Sequence, residues 1–222
     1  SSAVGTKDQN LKTNISGNME IISTGDIYVT QQGAAHVKNI TSRKNNGTVS
    51  LTAGSIVNEA DGTTAAINAS NILLHATTGS IGSVDKVMNV EAGNGMLSAV
   101  SDKGNIYLTD LTGDVNLGQL KAAGNIVFKA AGNIIGKSTA ANTATVIAAD
   151  ANLTSTNGNI GAVNNPLKTQ VTSITATAEN GSIYLDNTAQ SGILSIGSVK
   201  AGSDVQITAN GMTGTADGNQ AD

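Results

Sequence analysis

The side chains that could do chemistry are few and scattered. Asp102, Asp110 and Asp114 come nearest to a carboxylate cluster, the kind of group that acts as general acid and base on a glycosidic bond. They border turns around Gly104 and Gly113, where Asp is favoured because its side chain bonds nearby backbone amides. Lysine or arginine partners at matching strand positions are absent, so the trio reads as turn residues and no catalytic residue is assigned. His36 and His75 lie 39 residues apart with no second ligand at a recognised metal spacing. His75 is expected to face solvent, because Ile72 and Leu74 on the same short strand face inward. Calcium-binding Gly-Gly-x-Gly-x-Asp repeats, a phosphate-cradling Gly-x-x-x-x-Gly-Lys-Ser/Thr and a helix-linked Gly-x-Ser-x-Gly are all missing, so neither a metal nor a cofactor is expected. Tyr28, Tyr107 and Tyr184 are the sharpest binding candidates. If four rungs of a rod separate them, they would stand ~19 Å apart along one face. Sheet propensity copied with a repeating unit also accounts for them, and the binding residues stay unassigned.

The elements that would hold such residues are written in the composition. The chain has 222 residues, 39% hydrophobic, 13% charged and 2% aromatic, with 26 glycines and one proline. An average domain is about a quarter charged, so this surface must be built from Asn, Thr, Ser and Gln. Disorder is the rival explanation of such a chain, but the apolar residues alternate regularly enough to cover a continuous core. A net charge of −4 and a single arginine, Arg43, argue against nucleic acid, which needs clustered cations. The stretch Lys38 to Lys44 holds three cations and reads as a solvated turn. Without cysteine there is no disulfide and no thiolate site. No apolar run approaches the ~20 residues that cross a bilayer, so membrane insertion is not expected. Ser1 to Gly5 do not form a secretion signal, which for an exported chain puts that signal upstream or already removed.

Internal repetition organises the whole. Gly25-Asp26-Ile27-Tyr28-Val29, Gly104-Asn105-Ile106-Tyr107-Leu108 and Gly181-Ser182-Ile183-Tyr184-Leu185 recur at spacings of 79 and 77. The segment from Gly47 to Ile56 matches Gly124 to Ile134, with a weaker copy at Gly202 to Ile207, and Asn71 to Gly82 returns as Asn152 to Gly161. A ~78-residue unit is thus repeated nearly three times, roughly 1–78, 79–157 and 158–222. Within it, strands of three to five residues such as Val115-Asn116-Leu117, Ile126-Val127-Phe128, Val146-Ile147-Ala148 and Ile174-Thr175-Ala176 follow Gly or Asn-Gly corners. At Asn46-Gly47, Asn94-Gly95, Asn157-Gly158 and Asn180-Gly181 the corner is expected to use positive φ. A sandwich would not repeat its sequence over such a distance, whereas a solenoid would. The expected fold is all-β: a single right-handed parallel β-helix over 1–222, with rungs of about 20 residues, about eleven rungs and a length of roughly 50 Å. Its interior is expected to be Ile, Val, Leu and Ala ladders, with Phe128 the one large ring.

These repeated Gly-Asn/Ser-Ile-Gly and Gly-Asn-Ile-x-Leu steps, together with Gly158 to Leu167, resemble the repeat region of filamentous-haemagglutinin-like bacterial adhesins. The similarity covers most of the chain. It implies a non-catalytic structural or adhesive rod, exported by two-partner secretion or an autotransporter route to the cell surface or medium. The implied partners are a glycan or protein of host cells, other bacteria or biofilm matrix, and the flanking β-helix rungs of a larger protein. The export domain of such adhesins carries Asn-Pro-Asn-Gly, whereas the one proline here, Pro166, stands in Asn164-Asn165-Pro166-Leu167, so an internal segment is expected. Some relatives of this kind are glucosylated at Asn-x-Ser/Thr. Sites of that form occur at Asn14, Asn39, Asn46, Asn68 and Asn152, although an Asn/Thr/Ser-rich chain generates them by chance. A carbohydrate-active β-helix enzyme and a self-associating matrix protein are the alternatives. The first is opposed by the lack of aromatics and of a dense charged groove; the second turns on end rungs that could pair with another chain.

Overall fold

A computed structural model describes residues 2–137 and 143–214. They wind as a parallel β-solenoid of about nine turns with roughly 22 residues per turn and no helix. Each turn contributes to each of two 11-stranded sheets, and in each sheet one rung is split between two short strands, Ile134–Gly136 with Val146–Ile147 in the first and Ser55–Asn58 with Ile67–Ala69 in the second. The first sheet begins Leu11–Thr13, Ile27–Gln31, Thr48–Ala53, Asn71–Ala76; the second begins Asn18–Ser23, Ala34–Ser42, Ile67–Ala69, Met88–Ala92. Every pairing between these strands is parallel, as in Val49 with Ile72 and Ile72 with Leu97.

Alternation makes the strands and in-register stacking makes the core. In Ile106–Asp110 the side chains of Ile106 and Leu108 are buried while Tyr107 and Thr109 are half-buried on the outer face. Ile56, Ile81, Ile106 and Ile126 form one continuous inward ladder through four rungs. Burying each such side chain contributes on the order of 1.5–3 kcal/mol. Phe128 is fully buried within Ile126–Ala130, so the expected interior is the observed one.

Polar side chains close the corners. Asp114, Asn133, Asn159 and Ser182 each accept the backbone N–H of the matching residue one rung on, at 2.7–3.1 Å. Each is the polar member of a Gly-polar-aliphatic step, so the motif is a brace between rungs as well as a corner. Inside the coil, Ser42, Ser101 and Ser155 donate to the carbonyls of Gly25, Gly79 and Gly132, each at 2.8 Å. Such pairing removes the cost of unsatisfied buried polar groups.

Gly47, Gly95, Gly158 and Gly181 do not take positive φ; among these corners only Asn46 does, at 56°. They are glycine because the adjacent backbone or side chains leave no room: a Cβ on Gly158 would lie 2.5 Å from the amide nitrogen of Asn133, and one on Gly181 would strike the Gly158 carbonyl. Positive φ is used instead at Gly5, Gly82 and Gly161, at 70°, 65° and 71°. There a loop leaves a strand halfway and returns, as between Ile81 and Met88. Tyr28, Tyr107 and Tyr184 each sit one rung on, opposite the loop root, with their N–H donating to the carbonyls of Val4, Ile81 and Ile160 at 2.7–2.8 Å.

From Ile27–Gln31 to Ile106–Asp110 the chain makes three and a half turns, and from there to Ile183–Asp186 the same again. Tyr28 and Tyr184 therefore lie in the first sheet and Tyr107 in the second, so the three do not line one face. Both sheets share the same in/out alternation, which lets a unit repeat after a half turn. Excursions such as 59–66 and 82–87 also consume residues without adding a rung, which lengthens the rung from 20 to roughly 22 residues. Nine rises of about 4.8 Å give a stack near 43 Å, shorter than the expected length.

The loop-root glycines carry a direct test. Gly33 also has positive φ, 76°, but open space around it. Gly33→Ala should cost about 1–2 kcal/mol of left-handed strain. Gly82→Ala adds a collision with the Tyr107 carbonyl and should cost roughly 3 kcal/mol or more by urea unfolding. Equal losses at the two positions would contradict the stacking role.

Candidate functional site

The excursions 59–66 and 82–87 fall on consecutive turns of the second sheet and form a ridge on its outer face. They are fastened to each other and to the sheet. The Asn58 amide donates to the Val87 carbonyl at 2.6 Å, and the Ala66 N–H donates to the Asn89 carbonyl at 2.9 Å. Glu59 lies between Lys86 and His36, whose Nδ1 is 3.0 Å from Glu59 Oε1. Hydrogen bonds from Lys86 first, then from His36, hold the Glu59 carboxyl below the usual carboxylate range.

Beside the ridge the outer face is recessed. One depression of about 380 Å³ is bounded by Asp61 and Thr64 of the ridge and by Lys38, Asn39, Asn68 and Glu91 of the sheet. A second, of about 360 Å³, shares Asn68 and Glu91 and continues to Arg43 and Lys44 at the corner. Thr41, Asn68 and Glu91 are successive register partners and so form a file along the rod axis. The Asn68 amide donates to Glu91 Oε2, and Thr41 Oγ1 donates to Asn39 Oδ1 at 2.7 Å. Hydroxyl, amide and carboxylate side by side can exchange hydrogen bonds with a polar ligand.

The residues singled out from sequence are dispersed. Asp102 is exposed and pairs with His75 at 2.8 Å on the first sheet. Asp114 braces Asn133 at a corner. Asp110 points into the core, 1% exposed, so the trio does not converge. Among the described residues no three His, Asp or Glu side chains gather as a metal site. His75 is half-exposed, as its strand position requires, and His36 is held in the ridge cluster. Lys38 lies within strand Ala34–Ser42 rather than in a turn, 3.5 Å from Glu20, while Lys44 pairs with Asp26 at 2.6 Å. Lys44 is the main reason that the Asp26 carboxyl is held low. Of the Asn-x-Ser/Thr positions, Asn39 and Asn68 line the recess, Asn152 lies exposed on a strand, and Asn14 and Asn46 are exposed outside the strands. The walls of the recess come from four rungs, so no single stretch of sequence contains it. The available signal was the pair of longer gaps between apolar stretches at 59–66 and 82–87.

By its fold the protein is a parallel β-solenoid. Comparison of the chain with protein-family models, curated proteins and solved structures yields no match. No helix of the described residues is long and apolar enough to cross a membrane.

Asp110 is a structural group with a titration of its own. Its Oδ1 accepts the Ala92 N–H at 2.9 Å where the adjoining strands end, and its Oδ2 has no partner. Burial pushes its pKa up to about 7. Because the folded state holds the proton more tightly than the unfolded chain, this group's contribution is greatest below about pH 4. It declines through about pH 7 and then levels, with a slope of up to about 1.4 kcal/mol per pH unit. Asp110→Asn should flatten that part of the stability profile between about pH 4 and about pH 7, read by urea unfolding; an unchanged slope would mean that Asp110 is not the group responsible.

Proposed function

We propose that the chain is a non-catalytic structural and adhesive rod segment of a large, extracellular bacterial adhesin of the filamentous-haemagglutinin-like kind, secreted or held at the cell surface. In this reading it carries or spaces attachment to a glycan or protein of host cells, other bacteria or biofilm matrix, and its end rungs continue into flanking rungs of the same protein. The observation that carries the reading is the uninterrupted parallel stack. Inward aliphatic ladders run from rung to rung, and the residues with chemical potential are spent on bracing: Asp114 on Asn133, Asp26 on Lys44 and Thr48, Glu59 on Lys86 and His36.

A solenoid of this kind supplies stiffness because each rung is fixed by hydrogen bonds and side-chain packing to both neighbours. It supplies a long outer face whose side chains can change without disturbing the core, since inward and outward positions alternate. The specificity of attachment then belongs to outward residues and to loops, and the mechanism is one of display.

The folded chain should leave a panel of neutral and acidic polysaccharides uncleaved while beads coated with it adhere to bacterial or epithelial cells. Release of reducing ends or of unsaturated products, abolished by Asp61→Asn or Glu91→Gln, would replace the adhesive reading with an enzymatic one.

A further inference from the structure

We infer that the recess beside the ridge on the second sheet binds a neutral, hydroxyl-rich polysaccharide chain lying along the rod axis, an inference that rests on the adhesive reading and assigns it a location. The file of Thr41, Asn68 and Glu91 is the first reason. These three outward positions are register partners on successive rungs, so a hydroxyl, an amide and a carboxylate recur at about 4.8 Å along one straight line. An extended chain of hydroxyl-bearing units laid on that line meets donors and acceptors in turn, which is how vicinal hydroxyls are held by side chains.

The second reason is preorganisation. The ridge wall, with Asp61 and Thr64 facing the recess, is tied down by the Asn58 and Ala66 hydrogen bonds and by the Glu59 cluster. The Asn68 amide is already set by Glu91, and Asn39 by Thr41. A ligand therefore meets a formed surface and little ordering remains to oppose binding.

The third reason is what the recess repels. Its lining offers no aromatic ring and no large apolar side chain, so it gives an apolar helix or a lipid nothing to bury. It lies on a sheet face, where backbone groups are already paired, so an extended peptide gains no strand pairing. In the depression against the ridge Glu20, Asp61 and Glu91 outweigh Lys38, which disfavours sulfated or uronate-rich chains at that point. Without a stacking ring the affinity of one recess is expected to be weak and to depend on multiple copies for avidity.

The test uses the whole chain and neutral hexasaccharides of glucose, galactose, mannose and N-acetylglucosamine, with a heparin hexasaccharide as the polyanion. Backbone amide shifts and binding isotherms are followed for wild type, for Asn68→Ala combined with Glu91→Gln, and for Thr64→Arg, which obstructs the recess from an exposed loop. At least one neutral hexasaccharide should shift amides around residues 39–41, 61–68 and 91, and both variants should weaken it at least ten-fold while keeping the wild-type melting curve. Binding of heparin alone, binding that both folded variants retain, or no binding by any neutral probe would overturn the assignment. Cell attachment by beads coated with the folded variants separates the two levels: attachment equal to wild type leaves the adhesive reading standing without this site, and absence of attachment by wild type removes this site and leaves the rod a spacer.

Discussion

The hydrogen-bonded step between parallel rungs, about 4.8 Å, is the constraint on which the rest depends. Each residue must fit directly over its counterpart one turn away. That requirement explains why Ile56, Ile81, Ile106 and Ile126 repeat one residue type in a column. It explains why Gly158 and Gly181 stack where any Cβ would strike the neighbouring rung. It also explains why Asp114, Asn133, Asn159 and Ser182 hand a hydrogen bond from one rung to the next.

The same step decides what can lie inside the coil. Gln31, Asn58 and Asn187 are buried, yet each serves backbone groups where a strand turns or a loop departs. Asn187, for example, accepts from the Val171 N–H at 3.0 Å and donates to the Val171 carbonyl at 3.1 Å. Asp110 does half of that work with one oxygen and leaves the other unpartnered, and desolvation then favours its protonated form. Excursions are tolerated because a strand can resume in register after the loop, as Met88 does beneath Leu108 after Ile81 has bridged to Ile106. Loops can thus be added to one face without altering the core, which is how the ridge at 59–66 and 82–87 is accommodated.

The fold was readable because short-range alternation and long-range repetition pointed to one architecture. Ile106-Tyr107-Leu108 announced a half-buried strand, and its return at Ile183-Tyr184-Leu185 required a stack. What escaped was anything set by a half turn. Equal spacing of Tyr28, Tyr107 and Tyr184 suggested one face, but two equivalent sheets let the unit return on the other side. At the glycine corners crowding between rungs, and not positive φ, is what excludes a side chain. Asp110 looked like a turn residue beside Gly113, yet its place at the inward end of Ile106–Asp110 follows from counting alternation through from Ile106. The recess was hidden because Asn39, Asn68 and Glu91 are separated in sequence by whole turns.

A stack of parallel rungs accounts for a chain that places its polar residues in braces and its longer loops in a ridge. Spin-label distances along the first sheet probe the stack itself, and the absence of native cysteine makes labelling unambiguous. With one label at Thr30→Cys and the second in turn at Val100→Cys, Gln170→Cys and Thr208→Cys, on strands three, six and eight rungs away, a parallel solenoid requires distances near ~14, ~29 and ~38 Å, rising in proportion to rung number. Distances that fail to rise in that order, or that place Thr208 as near to Thr30 as Val100 is, would mean that the strands fold back as hairpins and that no such rod exists.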